Sequence, residues 1–368
     1  MFKKKADAIL DIGSEYMRLV VLNKSGKEAV ISAYAKHMYS GFQDGEFLCP
    51  DEIYPAMKRL IESIYLRFKT RIKSLVVTIP GEFICTVDKN VEKDIDNFVK
   101  QKDINEIFAI GNTYHNHNNF EVLNIEGIYF KTNKNPKRLI DPIGEECDSI
   151  AAKVAYTLSE RYFTDTIRQA ANALKIKVKF VSAIVPQIKY ISKKYMIDTF
   201  QDAIFIDLGY LNTTLAYFMG ERLVDIKTFS IGGASAAADI TLVKEIPYGH
   251  SYKLYKKLNL NIQPKEEDSY HIHSDKENFS YDISTINAIV EERIYNLGAH
   301  ILDAINNMGV HVEKDTPVFL SGCSICLNRG VKEILEACIG NKIEIVSQEL
   351  FDNDTTENLS IVSLINEY

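Results

Sequence analysis

The sequence predicts an α/β protein built from two related sheet lobes, and three short segments carry that expectation. In the first, Ala8-Ile9-Leu10-Asp11-Ile12-Gly13-Ser14, an apolar run ends in Asp-x-Gly and flows into a second apolar run over 17–22. The second, Ala203-Ile204-Phe205-Ile206-Asp207-Leu208-Gly209, repeats the pattern and is followed by Asn212-Thr213-Thr214 and a run over 215–218. The third, Thr316-Pro317-Val318-Phe319-Leu320-Ser321-Gly322-Cys323-Ser324, is an apolar strand ending in small residues, with a helix starting at Gly330. A strand, an Asp-x-Gly turn and a returning strand make a hairpin whose tip offers backbone N–H groups and a small hydroxyl to phosphate. The aspartate is placed to hold a hydrated cation against that phosphate. One such hairpin is also ordinary turn chemistry. Two of them, half a chain apart, point to a duplicated domain closing on one nucleotide. Small residues in the third segment let the backbone pass close to a flat ring, and the helix beyond it favours an anion.

Bulk properties fit a globular intracellular protein. At 368 residues the chain is too long for one ordinary core, and 46% hydrophobic and 25% charged content are globular values. A net charge of -7 argues against a nucleic-acid partner held by phosphate contacts. Lys3-Lys4-Lys5 lacks the apolar stretch of a signal peptide, and no run is long enough to span a membrane. The six cysteines are scattered, as reduced thiols would be. Cys323-Ser324-Ile325-Cys326 has metal-like spacing but no second pair, so these cysteines read as small loop residues.

Taken in order, residues 9–22 and 28–36 read as opening antiparallel strands. A helix over 50–68 starts at Pro50 and places Ile53, Met57, Leu60, Ile61 and Ile64 on one stripe. Leu75-Val76-Val77-Thr78-Ile79 is a buried strand stopped by Pro80-Gly81. Residues 83–160 read as a small inserted α+β subdomain, with helices over 91–101 and 105–110, a strand hairpin over 121–130 and a β run over 150–157. A helix over 162–174 and a segment over 175–185 return the chain to the first lobe, which takes 1–82 and 161–198. Residues 199–230 and 306–368 form the second lobe's sheet, and 231–305 its cap, with a helix over 289–305. The charge-rich stretch 263–278 reads as the most mobile loop.

The order of the motifs, Asp-x-Gly early, Asp-x-Gly midway and Ser-Gly-Cys-Ser late, resembles the two phosphate loops and the adenosine loop of the actin, Hsp70 and sugar kinase superfamily. Within it the sequence looks most like FtsA, the actin-like division protein that anchors FtsZ. Asp141-Pro142-Ile143-Gly144, the Gly232-Gly233 pair before Ala238-Asp239-Ile240, and Glu291-Glu292-Arg293 in the late helix carry that likeness across the chain. The resemblance implies an actin-like two-lobed ATPase fold of duplicated ribonuclease-H-like domains. It also implies ATP with Mg²⁺ held by Asp11 and Asp207, filament formation, and a cytoplasmic place at the inner membrane face. The nucleotide would be bound by Asp11, Gly13, Ser14, Asp207, Gly209, Asn212, Thr213, Gly232, Gly233, Lys253, Ser321, Gly322, Cys323 and Ser324. The FtsZ C-terminal peptide would dock on the cap.

The sequence also departs from that pattern. Tyr210 and Leu211 stand where two glycines are usual, which restricts backbone approach to a γ-phosphate. Cys323 replaces a glycine in the adenosine loop. Near Val185-Pro186, where relatives often place a water-orienting polar group, this chain has Val185 and then Gln187. A nucleotide-binding scaffold with slow or absent hydrolysis is therefore expected. The final stretch, 358–368, resembles the last core helix of the fold and has no basic residue, so membrane contact is expected only through a partner or through a C-terminal helix absent from this sequence. A PilM-like scaffold that binds a peptide of a membrane assembly protein is the alternative. A sugar or acetate kinase is the weaker third reading, since no substrate-contacting motif between the lobes supports it.

Overall fold

A computed structural model describes residues 7–25, 28–114, 116–273, 278–308, 312–350, 353–355 and 358–367. The chain opens with β1 (Asp7–Ile12), β2 (Tyr16–Ser25) and β3 (Glu28–Met38), followed by a short hairpin of β4 (Phe42–Gln43) and β5 (Glu46–Phe47). Helix α1 (Ile53–Phe68) and β6 (Ser74–Ile79) come next. An inserted segment then contributes β7 (Ile84–Asp94), α2 (Gln101–Gly111), β8 (Phe120–Thr132) and β9 (Ser149–Glu160). The first lobe resumes with α3 (Arg161–Ala173), β10 (Lys177–Ser182) and α4 (Ile184–Tyr195). The second lobe starts with β11 (Asp202–Leu208), β12 (Thr213–Met219) and β13 (Arg222–Phe229). Its cap holds α5 (Gly233–Lys244), α6 (Tyr248–Tyr255), β14 (Ser269–His273), β15 (Asn278–Asp282) and the long α7 (Ile283–Asn307). The chain finishes with β16 (Val318–Gly322), α8 (Val331–Ile339), β17 (Ile343–Ile345), β18 (Gln348–Leu350), β19 (Asn353–Thr355) and α9 (Leu359–Ile365).

The duplication lies in the sheets. The first has the order β10-β6-β1-β2-β3 and the second the matching order β17-β16-β11-β12-β13. In each, the central strand pairs antiparallel with its hairpin partner and parallel with the strand on its other side. The central strands are apolar on both faces, as strands covered on both sides must be. Ala8, Leu10 and Ile12 of β1 face one core, while Ile9 faces a second formed with Ile361 and Leu364 of α9. In β11, Ile204, Ile206 and Leu208 face the core under α7, while Ala203 and Phe205 join the core of the first lobe. Helix α4 lies where those two lobes meet: Ile184, Ile188 and Ile191 share a core with Phe205, Phe218 and Phe319, and Tyr195 packs on Phe319 with ring centroids 4.9 Å apart.

Three sequence expectations change. Residues 91–94 are not the start of a helix over 91–101 but the end of β7, which pairs with β9 from Ile84↔Ser159 to Asp94↔Ser149. The charged residues there follow strand alternation, with only Val91 turned into the subdomain core. Residues 121–130 form no hairpin; they belong to the single strand β8, the other neighbour of β9. The sequence places the tail with 306–368 in the second lobe, yet α9 packs on β1 and β2 of the first, where Ile361 and Leu364 join Ile9, Val20 and Leu22. The stretch 263–278 carries β14 and the first residue of β15, and residues 274–277 lie outside the described residues.

The aromatic cluster under α3 provides a test of this packing. Phe163 is fully buried and packs against Phe47 and Phe83, with ring centroids at 5.5 and 4.8 Å. Phe163→Ala is expected to lower unfolding free energy by about 3–5 kcal/mol, read as a lower urea midpoint at unchanged slope.

Candidate functional site

The two Asp-x-Gly hairpins face each other between the lobes, and their tips line one cavity. Register explains why. In the β1–β2 hairpin Asp11 lies directly opposite Arg18, so the turn puts a carboxylate and a guanidinium side by side. Arg18 Nη1 reaches Asp11 Oδ2 at 3.0 Å, and both side chains are buried. Asp11 Oδ1 accepts from Thr78 Oγ1 of β6 at 2.9 Å and from Ser360 Oγ of α9 at 2.8 Å. Asp207, at the equivalent place on β11, also faces the cavity. Burial, and then the negative charge of Asp11, pushes its carboxyl up to about 6, while Arg18 pulls it back.

Of the residues expected to hold a nucleotide, Asp11, Gly13, Ser14, Asp207, Gly209, Asn212, Gly322 and Cys323 line this cavity together. The others do not line it. Thr213 is fully buried and donates to the Ile231 carbonyl at 2.6 Å. Ser321 is buried and donates to the Val346 carbonyl at 3.1 Å. Lys253 points outward, and its Nζ donates to the His273 carbonyl at 3.1 Å. Gly232 and Gly233 lie behind the wall, close against the Tyr210 carbonyl and Cys323 Sγ. The Ser324 side chain lies outside the described residues.

Sequence reasoning missed Arg18, Thr78 and Ser360, although counting the hairpin register from Asp11 locates Arg18. Gln187, named from the sequence beside Val185, reaches the same wall. It is buried, at 2% exposure, and lines the cavity, so the segment after Val185-Pro186 does bring a carboxamide to this wall. Gly322 is required by its backbone: φ is +124°, and a Cβ would sit 2.1 Å from the Leu208 carbonyl oxygen.

The residue types suit a phosphate and its cation; the space does not. The cavity holds about 90 Å³, well under the several hundred Å³ of a typical small-molecule site. Several of the N–H groups on these turns are turned inward. Gly13 donates to Tyr16 O, Gly209 to Asp207 O, Gly233 to Gly209 O, Ala234 to Tyr210 O and Cys323 to Leu208 O, at 2.7–3.1 Å. Leu211 donates to Ser14 Oγ of the other lobe at 3.1 Å. Asn212 on the cavity wall turns its carboxamide toward Glu82 of the other lobe, where its side-chain hydrogen bond partly offsets the burial that raises the Glu82 carboxyl. ATP with Mg²⁺ does not fit this conformation, in which Asp11 already spends both oxygens on protein donors.

Asp207 gives this electrostatic arrangement a pH signature. Its folded pKa is above that of an unfolded aspartate, so the native state binds the proton more tightly. The resulting stabilisation is complete below about pH 4 and is lost as pH rises through about 6. Asp207→Asn is expected to be more stable than the parent by about 1–3 kcal/mol near neutral pH, with the difference vanishing at about pH 4, as read from urea unfolding across that range.

No protein-family model matches the chain, and no curated protein matches it. Solved structures do. The PilM–PilN type IV pilus biogenesis complex contains a chain that superposes with a TM-score of 0.67 at 12% identity, covering 98% of this chain and 98% of that one. MreB5 of Spiroplasma citri bound to AMPPNP matches with a TM-score of 0.57 at 11% identity, over 99% and 96% of the two chains. The MamK double helical filament matches with a TM-score of 0.52 at 12% identity, over 98% and 99%. Identities this low speak for fold alone, and with the paired sheets they establish that the chain has the actin-like ATPase fold.

Proposed function

We propose that this protein is an actin-fold scaffold that holds a short segment of an assembly partner and associates with further copies of itself. The observation that carries this reading is the likeness to PilM over 98% of both chains, a span that takes in the inserted β7–β9 sheet. PilM was solved with PilN, and MamK as a filament. In this reading the partner is a membrane assembly protein, and the scaffold works at the cytoplasmic face of the membrane through it. No helix among the described residues is long and apolar enough to cross a membrane.

An FtsA-like reading, in which the chain docks the FtsZ C-terminal peptide at the division site, has its own supporting observation. On the cap, α5 and α7 enclose a groove of about 480 Å³. Leu242 and Val243 stand at its rim with 75% and 62% exposure, and Ile289 lines it. Arg293 grips Asp239 with two hydrogen bonds, the longer at 2.8 Å. An apolar rim over a groove whose guanidinium is already paired suits the apolar side chains of a short peptide. On this FtsA-like reading ATP with Mg²⁺ would enter the same cleft only after the lobes part; the AMPPNP bound to MreB5 speaks for the nucleotide, and the closed, narrow cleft of this chain speaks against it. Any hydrolysis would be slow.

Fluorescence anisotropy with two labelled peptides from the same genome separates the readings. One is the FtsZ C-terminal tail; the other is the N-terminal segment of a PilN-type protein. Saturable binding of the PilN-type peptide alone is the expected result. Binding of the FtsZ tail alone, weakened about tenfold or more by Leu242→Glu, assigns the FtsA-like role. If neither peptide binds, the scaffold reading fails.

A further inference from the structure

The cleft is closed by more than contact. At the tip of the β4–β5 hairpin, Asp44 and Gly45 have φ of +52° and +76°, as a two-residue Asp-Gly hairpin turn requires. That turn reaches across to Ser230 at the end of β13. Asp44 N–H donates to Ser230 Oγ at 3.2 Å, Ser230 Oγ donates back to the Asp44 carboxylate, and Gln43 Nε2 donates to the Ser230 carbonyl at 3.4 Å. Deeper in, the Tyr252 hydroxyl of α6 donates to Glu15 of the first hairpin, and the Leu211 amide donates to Ser14. At the floor, Thr214 of the second lobe presses on Gly81 of the first so closely that a Cβ there would lie 2.4 Å from its side chain. In the same cavity the Arg18 guanidinium pairs with Asp11, and its charge also lowers the carboxyl of Asp207, which lines that cavity.

We propose that the working protein keeps its lobes latched over this cleft without a nucleotide, and that Arg18 supplies the positive charge a divalent cation would otherwise bring to Asp11 and Asp207. The physical argument is one of charge and room. Two carboxylates lining one small cavity repel each other and call for a positive charge beside them, and a guanidinium paired to Asp11 from the neighbouring strand supplies it permanently. A nucleotide would have to displace that guanidinium, free the inward-turned amides and break the Ser230 and Tyr252 contacts before gaining any of its own. The inference does not depend on which partner the scaffold holds.

The full chain decides it, with no partner added. Thermal unfolding is followed with and without ATP and Mg²⁺, alongside titration of a fluorescent ATP analogue. The parent is expected to show no saturable binding up to about 1 mM nucleotide and a Tm unchanged within about 1 °C, whereas a ligand at a hundred times its Kd would raise Tm by several degrees. Arg18→Gln is expected to melt lower than the parent and to regain part of that loss on adding Mg²⁺ alone, which leaves the parent unmoved. Saturable binding of ATP with Mg²⁺ to the parent below about 100 µM, with a matching rise in Tm, overturns the proposal. A folded Arg18→Gln protein that does not respond to Mg²⁺ overturns the role given to Arg18. Should that variant not fold, Arg18→Lys, which keeps the charge, must melt near the parent; the parent titration decides the latch in either case.

Discussion

The structure depends on one buried carboxylate being fully engaged. Asp11 sits at the end of the central strand of the first sheet and accepts from three separate parts of the chain: Arg18 on β2, Thr78 on β6 and Ser360 on α9. Thr78 Oγ1 in turn accepts the Ile12 amide, locking the strand end next to the carboxylate. A buried charge is tolerable only when paired and hydrogen-bonded, so each of these donors is tied to the others through the same two oxygens. The hairpin register, the strand beside it and the C-terminal helix are therefore fixed together, and the mouth of the cleft with them.

Much of this was legible in the sequence, for reasons that are local. Two Asp-x-Gly turns after apolar runs announce two hairpins, and the hairpins anchor two sheets of identical strand order. Continuous apolar runs such as Ala203-Ile204-Phe205-Ile206 mark strands covered on both faces, and both faces are indeed packed. The stripe of Ile53, Met57, Leu60 and Ile64 is buried along α1. What was not legible is long-range or shaped by a partner strand. Residues 91–94 were read as helical, because charged residues with a single apolar neighbour have no clear period until β9 supplies the pairing. Ser360 meets Asp11 across almost the whole chain, a contact no local pattern encodes. Lys253 was assigned to the nucleotide through resemblance alone, and it faces away.

The departures from the usual loop sequence have visible structural effects. The carbonyl of Tyr210 accepts the Ala234 amide at the N-terminus of α5, a backbone contact that any residue here could make. The Tyr210 ring packs edge-on against Tyr252, and its hydroxyl meets that of Tyr248. Cys323 fills the space before Gly233. Tyr210 and Cys323 thus stand as side chains on the wall of a cavity of about 90 Å³.

Helix α4 has a consequence of its own. Because Ile188 and Ile191 share one hydrophobic core with Phe205, Phe218 and Phe319, the second lobe's sheet gives one face to the interior of the first, while its other face packs a core of its own under α7. Severing the polypeptide near residue 199 would strip apolar surface from both pieces at once, so the ancestral repeat survives as symmetry but not as autonomy.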